Sequence, residues 1–244
     1  MADNDKVLTA AQDDFLSEIY GFPWLKINDP LGEDNVEAVL NITKQFKAGG
    51  KIDLRIIDTP FLYSAKLQKA GWYWGNSKIV YTGKPSGQYR ENLFIDDIVV
   101  TPLTGEDVST LTENAHQIFI LDRYRNDPNL DPALVKNLYQ RWLSNNINGR
   151  CEEILIARGK NEAQIRGFLC LIREEKYNYF ELIGIFPPYQ GKGLGRLLVD
   201  EGIRRFPEKE IKVVTQFHNL AMLRVLSKAG FVPSETEVIY TIHI

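Results

Sequence analysis

With 244 residues, 44% apolar and 25% charged, the chain has room for one large domain or two modest ones with packed cores. Its net charge of −3, without a Lys/Arg-rich stripe, excludes the electrostatic footprint of a nucleic-acid binder. Neither a signal-peptide pattern at the N-terminus nor an apolar run of the ~18 residues that suggest a membrane span is seen, so a soluble, cytoplasmic protein is expected.

Val36, Val39, Leu40, Thr43 and Phe46 recur at helical spacing, and Gly49-Gly50 supplies a stop. Residues 52–57 read as a strand. Thr59-Pro60 then opens a helix that carries Leu62 and Leu67 and ends at Gly71. Residues 72–81 read as a hairpin turning at Gly75-Asn76. Residues 83–92 have turn and linker chemistry without periodicity, which divides the chain into an N-terminal α/β domain (1–92) and a second domain (93–244).

After this boundary the pattern restarts. Residues 98–101 are strand-like, and Thr104 with Asp107 forms a capping-box pattern ahead of Val108, Leu111, Ala115 and Ile118. Asp131-Pro132 opens a helix with Leu134, Leu138 and Trp142 on one face. Strands are expected at 153–157, 166–172, 179–186, 211–215 and 237–242, with helices at 193–206 and 219–229. The order is α+β in character and predicts a mixed sheet. Cys151 and Cys170, at no metal spacing, read as small buried hydrophobes, and no metal is expected. At an offset of 159 residues, Leu67, Lys69, Ala70, Gly71, Tyr81 and Thr82 match Leu226, Lys228, Ala229, Gly230, Tyr240 and Thr241, which points to a duplicated half-module, with chance or shared helix-ending chemistry as the alternatives.

The chemistry is concentrated in residues 185–195, Ile-Phe-Pro-Pro-Tyr-Gln-Gly-Lys-Gly-Leu-Gly, which run from a strand end into a helix start. Glycines at alternate positions let the backbone turn sharply and bring several N–H groups to one point. The first-turn amides of the following helix have no internal partners and carry partial positive charge, so such a loop binds a diphosphate with main-chain donors. A P-loop is excluded because Gly193 follows Lys192, and the G-x-G-x-G spacing late in the chain is not that of a dinucleotide fold. A glycine turn without ligand is the remaining alternative.

Gln190-Gly191-Lys192-Gly193-Leu194-Gly195, preceded by Ile185 and Pro187 and followed by Asn219 and Ala229-Gly230-Phe231, resembles the acetyl-CoA signature of the GNAT superfamily over roughly residues 98–242. More narrowly, the chain is similar to sugar-nucleotide N-acetyltransferases of the TDP-fucosamine acetyltransferase type. That likeness lies in Ser17-Glu18-Ile19-Tyr20-Gly21-Phe22, Arg123-Tyr124, residues 139–143 with Asn145 and Gly149, and Val214-Thr215-Gln216. The resemblance implies a GNAT fold, with a central mixed twisted sheet flanked by helices, preceded by a smaller α/β domain resembling part of a GNAT unit.

It further implies acetyl transfer from acetyl-CoA to a primary amine of a nucleotide-linked (dTDP) amino sugar in surface polysaccharide biosynthesis, by direct attack in a ternary complex, and a homodimer is compatible with it. Ile183, Ile185, Gln190, Gly191, Lys192, Gly193, Leu194, Gly195 and Asn219 are the cofactor-binding positions, with the Ile185 N–H as oxyanion donor; Asn219 reads equally as a plain helix N-cap. Glu181, four residues before Ile185 and expected on its strand face, is the candidate general base, or else a salt-bridged strand residue. Arg123, Tyr124 and Arg125, in the loop joining the first two helices of the second domain, are the candidate acceptor contacts. In the family a tyrosine often stands where this chain has Leu226, so the general acid is unassigned; Tyr189, Tyr240 and His218 are conceivable substitutes. Another small amine (amino acid, polyamine, antibiotic) as acceptor, or a non-catalytic acyl-CoA-binding regulatory module, remain as alternatives.

Overall fold

The computed structural model describes residues 10–29, 35–46, 49–57, 64–84, 95 and 97–244. The start of the second predicted helix at Thr59-Pro60, and most of the expected linker, lie outside the described residues. The chain forms two compact units that interleave in sequence. One holds Met1–Lys78, Arg123–Leu134 and Glu235–Ile244; the other holds Ile79–Asp122 and Val135–Ser234.

In the first unit the elements are β1 (Ala10–Gln12), α1 (Asp14–Tyr20), β2 (Trp24–Asp29), α2 (Asn35–Gln45), β3 (Lys51–Ile57) and α3 (Ser64–Lys69). Sequence patterning gave no element to residues 10–29, although the local signals are there: Asp13 Oδ1 caps α1 by accepting from Leu16 N at 2.9 Å, and Gly21 ends it in the left-handed conformation. Strand β2 runs parallel to β3, and β3 runs antiparallel to β10 (Val232–His243), with Asp53 opposite Thr241 and Lys51 opposite His243. Ile52, Leu54 and Ile56 point to one face and pack with Val36, Val39 and Leu67 of the helices. The alternate residues Lys51 and Asp53 point the other way.

The hairpin expected at residues 72–81 is instead one continuous strand, β4 (Tyr73–Gly83). Gly75 has no positive φ, and a Cβ there would lie 2.6 Å from Thr241 Oγ1. It is glycine because another strand passes close, not because the chain turns.

The second unit contains β5 (Ile98–Pro102), α4 (Asp107–Asn114), α6 (Leu134–Asn145, starting at the unit boundary), β6 (Glu153–Gly159), β7 (Ile165–Arg173), β8 (Asn178–Ile185), α7 (Leu194–Arg205), β9 (Ile211–Gln216) and α8 (Leu220–Lys228). Between α4 and α6, Arg123–Asn126, read from the sequence as loop, forms the one-turn helix α5 of the first unit. The expected capping box is present, with Thr104 N and Oγ1 donating to Asp107 Oδ2 at 3.1 and 2.8 Å. Strands β5 to β8 pair antiparallel in chain order, and β9 adds parallel to β8.

Alternate residues of these strands feed two cores. Leu155, Ala157, Leu169 and Leu171 pack with Leu198, Val199 and Leu226 from α7 and α8; Ile154, Ile156, Phe168 and Cys170 pack with Leu111 and Leu143 from α4 and α6. Both sheet faces are therefore covered by helices, which accounts for the nearly unbroken apolar run in β7.

The sequence repeat has a structural counterpart. Helices α3 and α8 end alike: Gly71 and Gly230 have φ of 90° and 88°, and Trp72 N and Phe231 N each donate at 3.0 Å to the carbonyl of Leu67 and Leu226. Both leucines are fully buried. This is the glycine-terminated, 6→1 helix ending with its apolar contact, used twice.

Candidate active site

Strands β8 and β9 pair for only three residues, Asn178 with Ile211, Tyr179 with Lys212 and Phe180 with Val213. Both strands continue, but without pairing to one another beyond Phe180 and Val213. On the other edge of β8 the ladder with β7 persists to Gly167 opposite Ile185, and Phe186 N donates to Arg166 O at 2.9 Å. Main-chain groups alternate sides along an antiparallel ladder, so Ile183 and Ile185 direct their N–H and C=O away from β7, to the edge that β9 has left. The Gln190 side chain satisfies one of these groups, its Nε2 donating to Ile185 O at 3.0 Å.

The cause of the divergence sits just before it. Leu169 pairs with Ile183 but Leu171 with Phe180, so Glu181 and Leu182 together oppose Cys170. This β-bulge shifts the phase of the strand. Phe180 lies in the core beneath α7, Leu182 in the core beneath α4 and α6, and Ile183 and Ile185 again pack on the α7 side. Glu181 precedes the shift and does not share the face of Ile185, which corrects the expectation from simple alternation. It lies beside Cys170, on the face covered by α4 and α6. Its side chain is 4% exposed, Oε1 meets Arg150 Nη2 at 2.6 Å, and Oε2 is buried with no hydrogen-bond partner among the described residues.

Beyond β8, a single 3-10 turn (Pro187–Tyr189) leads into the glycine loop. Gly191 and Gly193 have φ of 75° and 84°, and Gly193 is the N-cap of α7, without a side chain to cap it. The first amides of α7, at Leu194, Gly195 and Arg196, thus have no intrahelical acceptor and face the loop. A Cβ at residue 191 would meet nothing within 4 Å, so its glycine serves the left-handed backbone rather than close packing. Lys192 Nζ lies 5.7 Å from the Tyr189 ring centre. Asn219 is the N-cap of α8: Oδ1 accepts from Met222 N, and Nδ2 donates to Thr215 Oγ1, each at 3.2 Å.

The conceivable proton donors are occupied elsewhere. Tyr189 donates to Gln164 Oε1 at 2.7 Å, His218 Nε2 lies 3.0 Å from Leu121 O, and Tyr240 is buried in the core of the first unit. Leu226 fills the helix-ending contact with Phe231, which explains leucine here in packing terms. Leu226→Tyr is therefore expected to bring a hydroxyl into a fully apolar site and to lower stability by about 2 kcal/mol without raising turnover. Urea unfolding and initial rates check both halves.

Arg123, Tyr124 and Arg125 lie in the first unit. Arg123 Nη1 meets Asp53 Oδ2 at 2.6 Å, and its guanidinium lies over the rings of Tyr124 and Trp24, 4.8 and 5.6 Å from their centres. Tyr124 stacks on Tyr20 with centroids 6.5 Å apart. Sequence reading missed the cluster around them. Asp53 also accepts from Trp24 Nε1 and Thr241 Oγ1 at 2.8 and 2.6 Å, and Asp127 takes Lys51 and the Tyr73 hydroxyl. Burial alone would raise both carboxyls, yet their cationic partners prevail and hold both below the usual range.

Residues 115–231 match the Acetyltransferase (GNAT) family. Among curated proteins, the spore coat polysaccharide biosynthesis protein SpsD of Bacillus subtilis (strain 168) is 26% identical over 139 residues, 56% of this chain and 47% of that protein. The chain thus spans about half the length of this relative. A GCN5-related N-acetyltransferase from Sphaerobacter thermophilus superposes with a TM-score of 0.65 at 14% identity, over 89% of this chain and 72% of its own. A functionally unknown conserved protein from Staphylococcus epidermidis ATCC 12228 does so with a TM-score of 0.66 at 11% identity, over 100% and 98%. These two share the fold. A bulged strand parting from its parallel neighbour and a left-handed glycine loop opening a helix both lie within residues 115–231, the part of the chain that matches an acetyltransferase domain of the GNAT family.

Proposed function

We propose that the chain is an acetyl-CoA-dependent N-acetyltransferase whose acceptor is the primary amine of a nucleotide-linked amino sugar. The observation that carries this reading is the edge of β8 that β9 has left, to which Ile183 and Ile185 turn their main-chain groups, with Gln190 Nε2 on Ile185 O, followed at once by the glycine loop. An extended amide-bearing arm fits the edge, and a diphosphate fits the α7 N-terminus, so the residues present fit coenzyme A. Gly191, Lys192, Gly193, Leu194 and Gly195 would hold the diphosphate end, with Gln190 bracing the strand end at Ile185. Bound acetyl-CoA supplies an activated acetyl thioester. The Ile185 N–H is a preorganised donor for charge developing on a carbonyl oxygen, a contribution of about 3 kcal/mol.

An amino-sugar amine, with a pKa of roughly 8 by analogy with an α-amino group, is already partly neutral near pH 7 and needs only a weak base. Glu181 Oε2, the carboxylate oxygen left free by Arg150, is the candidate base. A coenzyme A thiol of pKa about 8.5 departs with little acid assistance, in keeping with leucine at position 226. Tyr124 and Arg125 are assigned to acceptor recognition on the family resemblance, with Arg123 held by Asp53 as their anchor. The polysaccharide role in the name of the Bacillus subtilis relative supports a sugar acceptor.

One observation favours a second reading, an acyl-CoA-binding module without turnover: Leu226 stands fully buried where the family often has an acid. A thiol-release assay with acetyl-CoA against nucleotide amino sugars, amino acids and polyamines separates the two. Release with the nucleotide amino sugars is the expected result. Release with another amine alone refutes the sugar, and none with any amine, in a protein that binds coenzyme A, selects the second reading.

A further inference from the structure

Arg150 ends the turn that closes α6. The helix gives way to one wide π-type turn (Asn146–Arg150), in which Gly149 takes φ of 109° and Cys151 N donates to Asn146 O at 3.1 Å. Such turns redirect the chain, and here the residue redirected is an arginine. Its guanidinium meets Glu181 Oε1 at 2.6 Å, yet the Arg150 side chain is 55% exposed while that of Glu181 is 4% exposed. A buried carboxylate thus fixes one arm of a guanidinium whose remaining donors are open to solvent, the arrangement that suits capture of a second anion.

The location has chemical meaning. Helix α7 packs on one face of the sheet; Glu181, with Arg150 against it, lies on the other, at the bulge where β8 opens. A thioester held along the β8 edge from the α7 side leaves the α6 side for the amine. Glu181 Oε2, buried without a hydrogen-bond partner among the described residues, is a carboxylate oxygen on that side with capacity for an amine hydrogen. Amine and anion would then be met side by side, by Glu181 and Arg150.

We propose that Arg150, positioned by Glu181, is the contact for a phosphate of the acceptor, so that the site selects amines carrying a nucleoside diphosphate. This rests on the amine-acceptor reading above and deepens it. Arg150 is a specificity-determining residue; Glu181 orients it.

The test is calorimetry of dTDP against protein saturated with coenzyme A, so that the diphosphate cradle at α7 is already filled, on the wild type, R150M and R150K. The wild type is expected to bind dTDP. R150M should weaken it by at least about tenfold, R150K should recover part of the loss, and coenzyme A affinity should hold in all three. In steady-state assays with a nucleotide amino sugar, R150M should raise acceptor KM by a similar factor, and R150K should recover part of that loss. Equal dTDP affinity of wild type and R150M, or no dTDP binding by the wild type, overturns the proposal. So does a loss in R150M confined to coenzyme A, which would assign Arg150 to the donor. Wild-type dTDP binding that R150M abolishes, without thiol release from any amine, would sink the transferase reading while sustaining this one.

Discussion

Gly193→Val is expected to abolish measurable coenzyme A binding by calorimetry while leaving the far-UV circular dichroism of the folded protein. Gly193 is the N-cap of α7 with φ of 84°, a conformation that costs a non-glycine residue about 1–2 kcal/mol and a β-branched one more. The chain would relieve this by rotating the residue out of the left-handed region, and the first-turn amides of α7 would then no longer converge. In the proposed function those amides are the donors to the diphosphate. Loss of two or three main-chain hydrogen bonds to a charged ligand, at about 1.5–3 kcal/mol each, lowers affinity by some 10² or more. Gly191→Val should act in the same direction, because Gly191 has φ of 75° and its surroundings are open, so any effect comes from conformation and not from a clash. Unimpaired binding in both variants would show that the loop does not hold the ligand.

The second large effect falls on stability. Asp53→Ala is expected to cost about 3–5 kcal/mol in urea unfolding, because it leaves a buried guanidinium without its counter-charge. Asp53 accepts three donors at once, Arg123 Nη1, Trp24 Nε1 and Thr241 Oγ1, with its side chain 4% exposed. The same network sets an acid limit. Burial raises the carboxyls of Asp53 and Asp127, but Arg123 and Lys51 for the first, and His243 and Lys51 for the second, leave both below ordinary values. A depressed folded-state carboxyl stabilises the fold above its unfolded pKa of about 4, and that stability is lost as pH falls towards the folded values. Wild-type stability should therefore decline steeply below about pH 4, and the decline should be shallower in Asp53→Ala. An equally steep acid slope in the variant would place the sensitivity elsewhere.

Legibility differed from place to place for identifiable reasons. Glycine loops declare themselves, because a left-handed backbone admits few other residues; residues 185–195 located the strand end, the loop and the start of α7 from sequence. Helix ends were readable for the same reason, at Gly71 and Gly230 alike. Gly75 was misread because a glycine chosen for close strand approach looks the same in sequence as one chosen for a turn. In β3, Lys51, Asp53 and Arg55 alternate with Ile52, Leu54 and Ile56, yet the charged Lys51 and Asp53 are 1% and 3% exposed. Their partners Asp127 and Arg123 lie 76 and 70 residues further on, beyond the reach of any local pattern.

What the sequence determined by itself was local conformation: where the chain bends through the glycine loop into α7, and how two helices end. Tertiary structure alone decided the direction and company of the side chains. One extra residue in β8 put Glu181 on the face opposite to that implied by its spacing from Ile185, and a wide turn after α6 brought Arg150 to it. The physical reason is that a strand's alternation is preserved only while its ladder stays in register, and register is a property of two strands, which neither segment encodes alone.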